Sequence, residues 1–505
     1  MRGPRPSEDD EARRRLGLAA AQGDAEAQAK LGRMHHDGDG GPQDLAEARR
    51  LYGLAAAQGH AESQARLGSL HHLGQGGPID LGEARRLLGL AAAQGQAEAQ
   101  CLLSWMHRDG QGGPPDFAEA RRLLDLAAAS GHAHAQASLG DMHYSGSNAP
   151  QDFAEARRLY GLAAARGHAE AQFMLGNMLI LGLAGPQDFA EARRLFGLSA
   201  AQGNAGAQSR LGGMHLHGHG GPKDLYEARR LLGLAATQGD AEAQFMLGRM
   251  LAHGLAGPKD LYEARRLLGL AAEQGHAEAQ AELGAMHYHG LGGPQDLAEA
   301  RRLLGLSAAQ GHADAQASLG SMHRNGQGGP QDLAEARRLY GLAAVQGQAG
   351  AQGMLGEMHY HGRGGPQDCA EARRLFGLAA AQGDSVAQAL LGDMHYNGQG
   401  APQDFAEARR LYGLAAAQGD AEAQHVLGEM HHNGEGGPPD FGEARRLYGL
   451  AAELGHAMAQ AKLGGMHHLG HGGPQNYAEA RRLYGLFAAQ GDADAQAVLG
   501  EMHYN

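Results

Sequence analysis

Apolar and polar residues follow a helical rhythm that restarts every 36 residues along the chain. The stretch from Pro42 to Gly77 reads PQDLAEARRLYGLAAAQGHAESQARLGSLHHLGQGG and contains two such segments. At about 100° per residue, one stripe of the first segment holds Leu45, Ala48, Tyr52, Ala55 and Ala56. One stripe of the second holds Ser63, Gln64, Leu67 and His71. The pattern predicts two helices, helix A from about Leu45 to Gln58 and helix B from Ala61 to about His72.

Residues suited to helix ends flank both segments. Asp44 is a predicted N-cap, and Glu47 is expected to complete a capping box by reaching back to it. Gly59 suits the left-handed conformation that ends helix A. His60 occupies the N-cap position of helix B, and Gly74 follows its end. Each unit is therefore predicted to be a pair of antiparallel helices with two largely apolar faces.

Prolines keep the same register through the whole chain, without insertion or deletion between them. They stand at Pro6, Pro42, Pro78, Pro114, Pro150, Pro186, Pro222, Pro258, Pro294, Pro330, Pro366, Pro402, Pro438 and Pro474. A fixed period of about 20 to 50 residues is typical of stacked supersecondary units, so it outweighs a domain count based on length. We predict an all-α fold in which residues 1–505 form a single solenoid of about fourteen 36-residue repeats.

Composition narrows the classes of partner and location. The net charge is −13 and is spread over the repeats without a basic patch, which argues against nucleic acid. No run of about 18 apolar residues could cross a bilayer, and the N-terminus lacks the apolar core of a secretory signal. Cys101 and Cys369 are more than seven repeats apart and are not expected to form a disulfide. We predict a soluble cytoplasmic protein in a reducing compartment, without membrane insertion.

The repeated unit reads DxxEA, then AAxxGxAxAQxxLGxM, then GxGGPxD. This pattern resembles the Sel-one-like repeat, a 36-residue relative of the tetratricopeptide repeat, over essentially the whole chain. The resemblance implies a right-handed α-solenoid that acts as an adaptor for protein complexes, with no catalytic residues and no cofactor in the repeat. A cysteine-rich bacterial branch of that family is linked to β-lactam hydrolysis, but its disulfide staples are absent here.

Histidines near the end of helix B are the first candidates for chemistry. In MHYHGLGG, His287 and His289 could form half of a metal site. The position of His287 holds histidine in twelve repeats, but Leu179 and Leu251 in the other two, and the position of His289 varies widely. We therefore expect His287 to face the core, His289 to lie at the surface, and no metal to bind. Burial of His287 also predicts that acid destabilises the array.

The leucine that follows glycine in helix A is the second candidate. Leu54 lies beside Arg50 and Glu47, on a face that a simple amphipathic helix leaves polar, and every repeat has leucine there. Two interpretations remain open: an apolar arc packed between repeats, or a leucine ridge edged by arginines on the concave surface that takes a helix or an extended peptide. Gly53 costs about 1 kcal/mol of helix propensity relative to alanine, and close approach of another chain or helix would compensate.

These patterns predict a non-catalytic scaffold that binds a protein or peptide partner along helix A. The predicted contact residues are Arg50, Leu54, Arg86, Leu90, Arg122, Leu126, Arg158, Leu162, Arg194, Leu198, Arg230, Leu234, Arg266, Leu270, Arg302, Leu306, Arg338, Leu342 and the single tryptophan, Trp105, which is expected to be partly exposed. The alternatives are a hydrolase of the β-lactam-linked branch, a metal-binding repeat protein, and a purely structural repeat protein. The last helix B has no distinct capping helix after it, which leaves self-association through uncapped ends open.

Overall fold

The computed structural model describes residues 8–147 and 150–489, and in this part of the chain all regular structure is helical. The chain divides into two compact units, Met1–Met250 and Leu251–Asn505. The helices of the first unit are α1 (Glu8–Ala21), α2 (Ala25–Asp37), α3 (Leu45–Ala57), α4 (Ala61–Leu73), α5 (Leu81–Ala93), α6 (Ala97–Asp109), α7 (Phe117–Ala129), α8 (Ala133–Ser145), α9 (Phe153–Ala165), α10 (Ala169–Leu181), α11 (Phe189–Ala201), α12 (Ala205–His217) and α13 (Leu225–Thr237), and α14 (Ala241–His253) contains the division. Odd numbers are helices A and even numbers are helices B.

The second unit continues the same order of helices A and B. Its helices are α15 (Leu261–Glu273), α16 (Ala277–His289), α17 (Leu297–Ala309), α18 (Ala313–Asn325), α19 (Leu333–Val345), α20 (Ala349–His361), α21 (Cys369–Ala381), α22 (Ser385–Asn397), α23 (Phe405–Ala417), α24 (Ala421–Asn433), α25 (Phe441–Glu453), α26 (Ala457–Leu469) and α27 (Tyr477–Ala488). The predicted all-α solenoid of helix pairs is confirmed. The last helix B falls outside the described residues, and so does the predicted uncapped edge.

Local sequence signals set the helix ends, and both predicted helices of the second repeat are confirmed to within one residue. The Asp44 carboxylate accepts the Glu47 N–H at 2.9 Å. The imidazole Nδ1 of His60 accepts the Ser63 N–H at 3.2 Å, as expected for an N-cap. Gly74 ends helix B with a φ of 68°. Each such cap stabilises its helix by about 1 kcal/mol.

The second half of the predicted capping box is wrong. The Glu47 carboxylate does not return to the N–H of Asp44, which donates to the carbonyl of His35 at 2.8 Å. It accepts instead from Nε and Nη2 of Arg50, at 2.8 and 2.6 Å. The guanidinium one turn later offers two charge-assisted bonds, and the Asp44 N–H is already used by the turn before the helix.

Two glycines allow the close approaches that define the stack. A Cβ at Gly76, just after helix B, would lie 2.1 Å from the carbonyl oxygen of Leu45 at the start of helix A, so the two helices run antiparallel. A Cβ at Gly68, inside helix B, would lie 2.7 Å from Cγ of Leu88 in the next helix A. Glycine at these positions therefore fixes the contacts within and between repeats.

The apolar core is shared between neighbouring repeats. One cluster consists of Ala48, Tyr52, Ala56, Leu67, Leu70 and Leu87, and the last of these belongs to the following repeat. The first repeat differs in this core, because Arg15 occupies the position of the buried Leu51 and its side chain is exposed.

Buried glutamines connect the repeats through side-chain hydrogen bonds. Nε2 of Gln64, in helix B, donates to the carbonyl of Ala56 at 3.2 Å, and its Oε1 accepts from Nε2 of Gln94 in the next repeat at 2.8 Å. The same bond between glutamines joins Gln58 to Gln28, Gln202 to Gln172, Gln238 to Gln208, Gln310 to Gln280, Gln346 to Gln316, Gln382 to Gln352 and Gln418 to Gln388. We call this series the glutamine ladder. It satisfies a helix-end carbonyl and a buried amide in each of these repeats.

Candidate partner-binding surface

The predicted contact residues of helix A lie on its exposed face. The Leu54 side chain is 42% exposed, and the equivalent leucines of eleven other repeats lie between 37 and 44%. They are Leu90, Leu126, Leu162, Leu198, Leu234, Leu306, Leu342, Leu378, Leu414, Leu450 and Leu486. Packing between repeats therefore covers only part of this leucine, and a row of partly exposed leucines follows helices A within each unit.

From the second repeat on, the arginine next to this row forms an ion pair on its own helix, from Arg50 to Arg482. The Arg50 guanidinium, 58% exposed, binds the Glu47 carboxylate through two hydrogen bonds. The hydrogen bond to Arg50 holds the pKa of Glu47 below its ordinary value and raises the pKa of Arg50. Exposed pairs of this kind contribute little stability. The surface beside the leucines thus presents ion pairs rather than isolated cations.

Hollows lie along this face, one between two consecutive helices A and one between a helix A, its helix B and the turn that follows. Between α9 and α11, a hollow of about 410 Å³ is lined by residues that include Gly161, Ala165, Arg194 and Leu198. In the second unit, a hollow of about 480 Å³ is lined by residues that include Tyr262, Arg266, Gly269 and Leu270. Both hollows bring together a predicted arginine and a predicted leucine with the glycine of helix A.

The glycine of helix A faces empty space. A Cβ at Gly53 would meet no heavy atom of a neighbouring group within 4 Å. The same holds for Gly17, Gly89, Gly161, Gly197, Gly233, Gly269, Gly305, Gly341, Gly377, Gly413, Gly449 and Gly485. The expectation that another helix of this chain approaches these glycines is therefore wrong for the described residues. Their loss of helix propensity, about 1 kcal/mol each relative to alanine, is not offset by packing within the described part of the chain.

Trp105 belongs to a different surface. It lies on helix B of its repeat (α6), is half-buried as predicted, and packs against the cluster that contains Cys101 and Leu124. Its ring meets the edge of the His134 ring at a centroid distance of 5.0 Å. A cavity of about 220 Å³ beside it is lined by residues that include Phe117 and Asp141. The structure does not bring Trp105 into the leucine row.

The sequence model of the Sel1 repeat matches thirteen consecutive stretches of 36 residues, from 25–60 through to 457–492. The chain belongs to the Sel1 repeat family. It is similar to c5321, a protective antigen of uropathogenic Escherichia coli with an SLR fold, at 27% identity over 97% of both chains and a TM-score of 0.72. It is also similar to a Sel1 repeat protein from Oxalobacter formigenes, at 30% identity over 65% of this chain and 93% of that one, with a TM-score of 0.47. No curated protein matches the chain.

The histidine near the end of helix B in most of these Sel1 repeats is half-buried. His287 is therefore less buried than the predicted core-facing position requires, and that prediction is wrong in degree. Its Nδ1 lies 2.8 Å from Nη2 of Arg265, in helix A of the same repeat. Leu179 and Leu251, which replace it elsewhere, are buried. An arginine in reach of water keeps the imidazole near the surface, whereas leucine turns fully inward. His289 is exposed, as predicted.

Arg265, the first arginine of its RR pair, contacts His287, and the sequence did not predict that contact. Helical periodicity places Arg266, which pairs with Glu263, on the exposed face, but it does not reveal that Arg265 turns toward the histidine. In the described part of the chain, no group of three or more histidine, cysteine, aspartate or glutamate side chains is arranged to hold a metal. None of the described helices combines the length and apolar content needed to cross a membrane.

Proposed function

We propose that this Sel1 repeat protein is a non-catalytic scaffold that binds a protein or peptide along the exposed face of its helices A. The observation that carries the proposal is the glycine of helix A. Gly53 and its equivalents weaken the helix in repeat after repeat and leave open space beside a half-exposed leucine. A partner that occupies this space explains why a larger side chain is absent there.

The surface favours a partner with apolar side chains at the spacing of the repeats. Leu198 and the empty space at Gly161 offer apolar contact in the same hollow, while the pair of Arg194 with Glu191 lies at its edge. A bound chain that buries the leucines gains free energy from apolar area, about 25 cal/mol per Å². The ion pairs orient the bound chain through their remaining hydrogen-bonding capacity.

Free thiols at Cys101 and Cys369 fit the reducing, intracellular location that we include in the proposal.

The test fills the hollows without changing charge. Gly161→Ala, Gly197→Ala and Gly233→Ala, combined in one chain, place methyl groups in the open space of three consecutive repeats. We expect affinity capture from the source cell, followed by mass spectrometry, to lose proteins that the unchanged chain retains. The chain itself is expected to become more stable, because alanine favours the helix by up to about 1 kcal/mol per site.

A matched control separates partner loss from a general effect of alanine. Gly350 and Gly353 lie in helix B (α20), and a Cβ at either would also meet no neighbour within 4 Å. Their alanine variants should retain every captured protein. An unchanged partner list for the helix A variant would contradict the proposed surface. Hydrolase turnover by the purified chain that substitutions in one repeat abolish would replace the scaffold with an enzyme.

A further inference from the structure

The histidine near the end of helix B lies at the joint between repeats. The carbonyl of His71 accepts the N–H of Asp80, the N-cap of the next helix A, at 3.0 Å. Its imidazole Nδ1 lies 2.7 Å from Nη2 of Arg49, in helix A of the same repeat. Nη1 of Arg49 donates to the carbonyls of Gln75 and Pro78, at 3.5 and 3.2 Å, in the turn that leads to the next repeat. His71 and Arg49 together thus hold both helices and the turn.

Ten repeats share this contact, with Nη2 to Nδ1 distances of 2.6 to 2.9 Å. The pairs are Arg13–His35, Arg49–His71, Arg85–His107, Arg193–His215, Arg265–His287, Arg301–His323, Arg337–His359, Arg373–His395, Arg409–His431 and Arg445–His467. In eight of the ten the same Nη2 also lies 3.0–3.5 Å from Nε2. A guanidinium only donates hydrogen bonds, so whichever ring nitrogen accepts one must be unprotonated. The contact therefore exists only while the histidine is neutral.

We propose that these ten contacts form a clamp that acid releases, so that protonation of the histidine loosens the turn between one repeat and the next. The proposal is independent of partner binding. The charged groups around His71 are Arg49 from its own repeat and Asp80 and Glu83 from the next helix A. The two carboxylates favour the protonated ring, whereas burial and the guanidinium oppose it.

The direction of the response follows from the balance of these groups. Burial, and after it Arg49, holds the pKa of His71 below its ordinary value, and the other nine histidines have the same two leading causes. When a turn opens, its histidine returns to a pKa of about 6.5 and takes up a proton more readily. Above about pH 7.5 both states are neutral and pH has no effect. Below about pH 6.5 the open state gains protons first, so the closed turn becomes less stable.

One repeat provides an internal reference without a titrating ring. Leu179 occupies the histidine position, and its carbonyl still accepts the N–H of Asp188 at 3.1 Å. Nη1 of Arg157 still donates to the carbonyl of Leu183 at 3.1 Å. This turn keeps the backbone contact and one arginine contact, but it has no imidazole to protonate. It should not respond to acid.

The test is hydrogen–deuterium exchange of the full chain at about pH 7.5 and 5.5, corrected for the intrinsic effect of pH on amide exchange. We expect faster exchange at residues 75–80 in acid, by at most about tenfold, because pH 5.5 lies about one unit below the pKa of the open-state histidine. Residues 183–188 should show no corrected change. An equal change in both turns, or no change at 75–80, would overturn the clamp.

Reciprocal variants test the histidine itself. His71→Leu adopts the residue found at Leu179 and should abolish the acid response at residues 75–80. Leu179→His places an imidazole within the repeat of Arg157 and should create a response at residues 183–188. A response at 75–80 that survives His71→Leu would refute the assignment. If either variant fails to fold, the comparison of the two turns in the unchanged chain still decides the proposal.

Discussion

Gln100 allows a quantitative test of the glutamine ladder. Its Oε1 is buried without a protein partner, because Ser130 stands where the neighbouring repeat has Gln94. Ser130 instead donates to the carbonyl of Ala127 at 2.7 Å, within its own helix. In the intact contact one repeat earlier, Nε2 of Gln94 donates to Gln64 at 2.8 Å. We predict that Ser130→Gln completes the ladder and stabilises this part of the array.

The size of the effect follows from two opposing contributions. A buried acceptor without a partner destabilises the fold by about 1–3 kcal/mol, and the new donor removes most of that penalty. Ordering the glutamine side chain costs up to about 2 kcal/mol, less at an exposed position where order is incomplete. The expected net gain is about 1 kcal/mol. With a urea dependence of about 1–3 kcal/mol per M, the unfolding midpoint should rise by about 0.3–1 M.

The chain contains its own local probe for this measurement. Trp105, the single tryptophan, lies on the same helix as Gln100 and packs on the cluster around Cys101. Its fluorescence during urea unfolding therefore reports on the affected repeats. Ser130→Glu is the matched control, since an ionised carboxylate has the size of glutamine but donates no hydrogen bond. Equal midpoints for the glutamine and glutamate variants would refute the ladder as a source of stability.

Two further predictions follow from burial. Gly68→Ala should lower the free energy of unfolding by about 1–3 kcal/mol, because its Cβ would lie 2.7 Å from Cγ of Leu88. Gly53→Ala should raise the free energy of unfolding by about 0.5–1 kcal/mol, because the space there is empty. Urea unfolding measures both changes, and the opposite order would contradict the packing of the two helices. Burial raises the pKa of Cys101 to about 12, so iodoacetamide at about pH 8 should modify Cys369 first, and equal rates by mass spectrometry would show that Cys101 is accessible.

The helices themselves could be predicted from the sequence, because the signals that define them are local. Asp44 and His60 act on N–H groups three residues away, and Gly74 ends its helix through its own backbone conformation. The 36-residue register then repeats the same local result along the chain. The predicted ends of α3 and α4 agree with the structure to within one residue, because each of these signals acts within one helical turn.

Side-chain partners could not be predicted, because several candidates lie within reach. Glu47 had the N–H of Asp44 and the guanidinium of Arg50 available, and the sequence does not rank them. Gln64 was correctly placed on the inner stripe of helix B. Its two partners, Ala56 and Gln94, become evident only when the end of one helix A is placed beside the next.

The contact between Arg49 and His71 joins residues 22 positions apart. Its sequence signal is weak, because the arginine persists in the repeats that have leucine in place of histidine, as Arg157 does in the repeat of Leu179. Substitution of one partner is therefore not accompanied by substitution of the other. The row of Arg50 and Leu54 as a binding surface stays a prediction, now with known exposure and known ion pairs.

The two helix glycines of each repeat separate structural from functional demands. Gly68 weakens helix B, but the close packing of Leu88 against it offsets that loss. Gly53 weakens helix A with no neighbour in the described chain to gain from it. In a solenoid, contributions of individual repeats add approximately, so thirteen such glycines lower stability by about 10 kcal/mol relative to alanine. That amount is comparable to the whole stability of an ordinary domain, about 5–15 kcal/mol. A loss of this size at one position of the repeat supports our proposal that a ligand occupies the space.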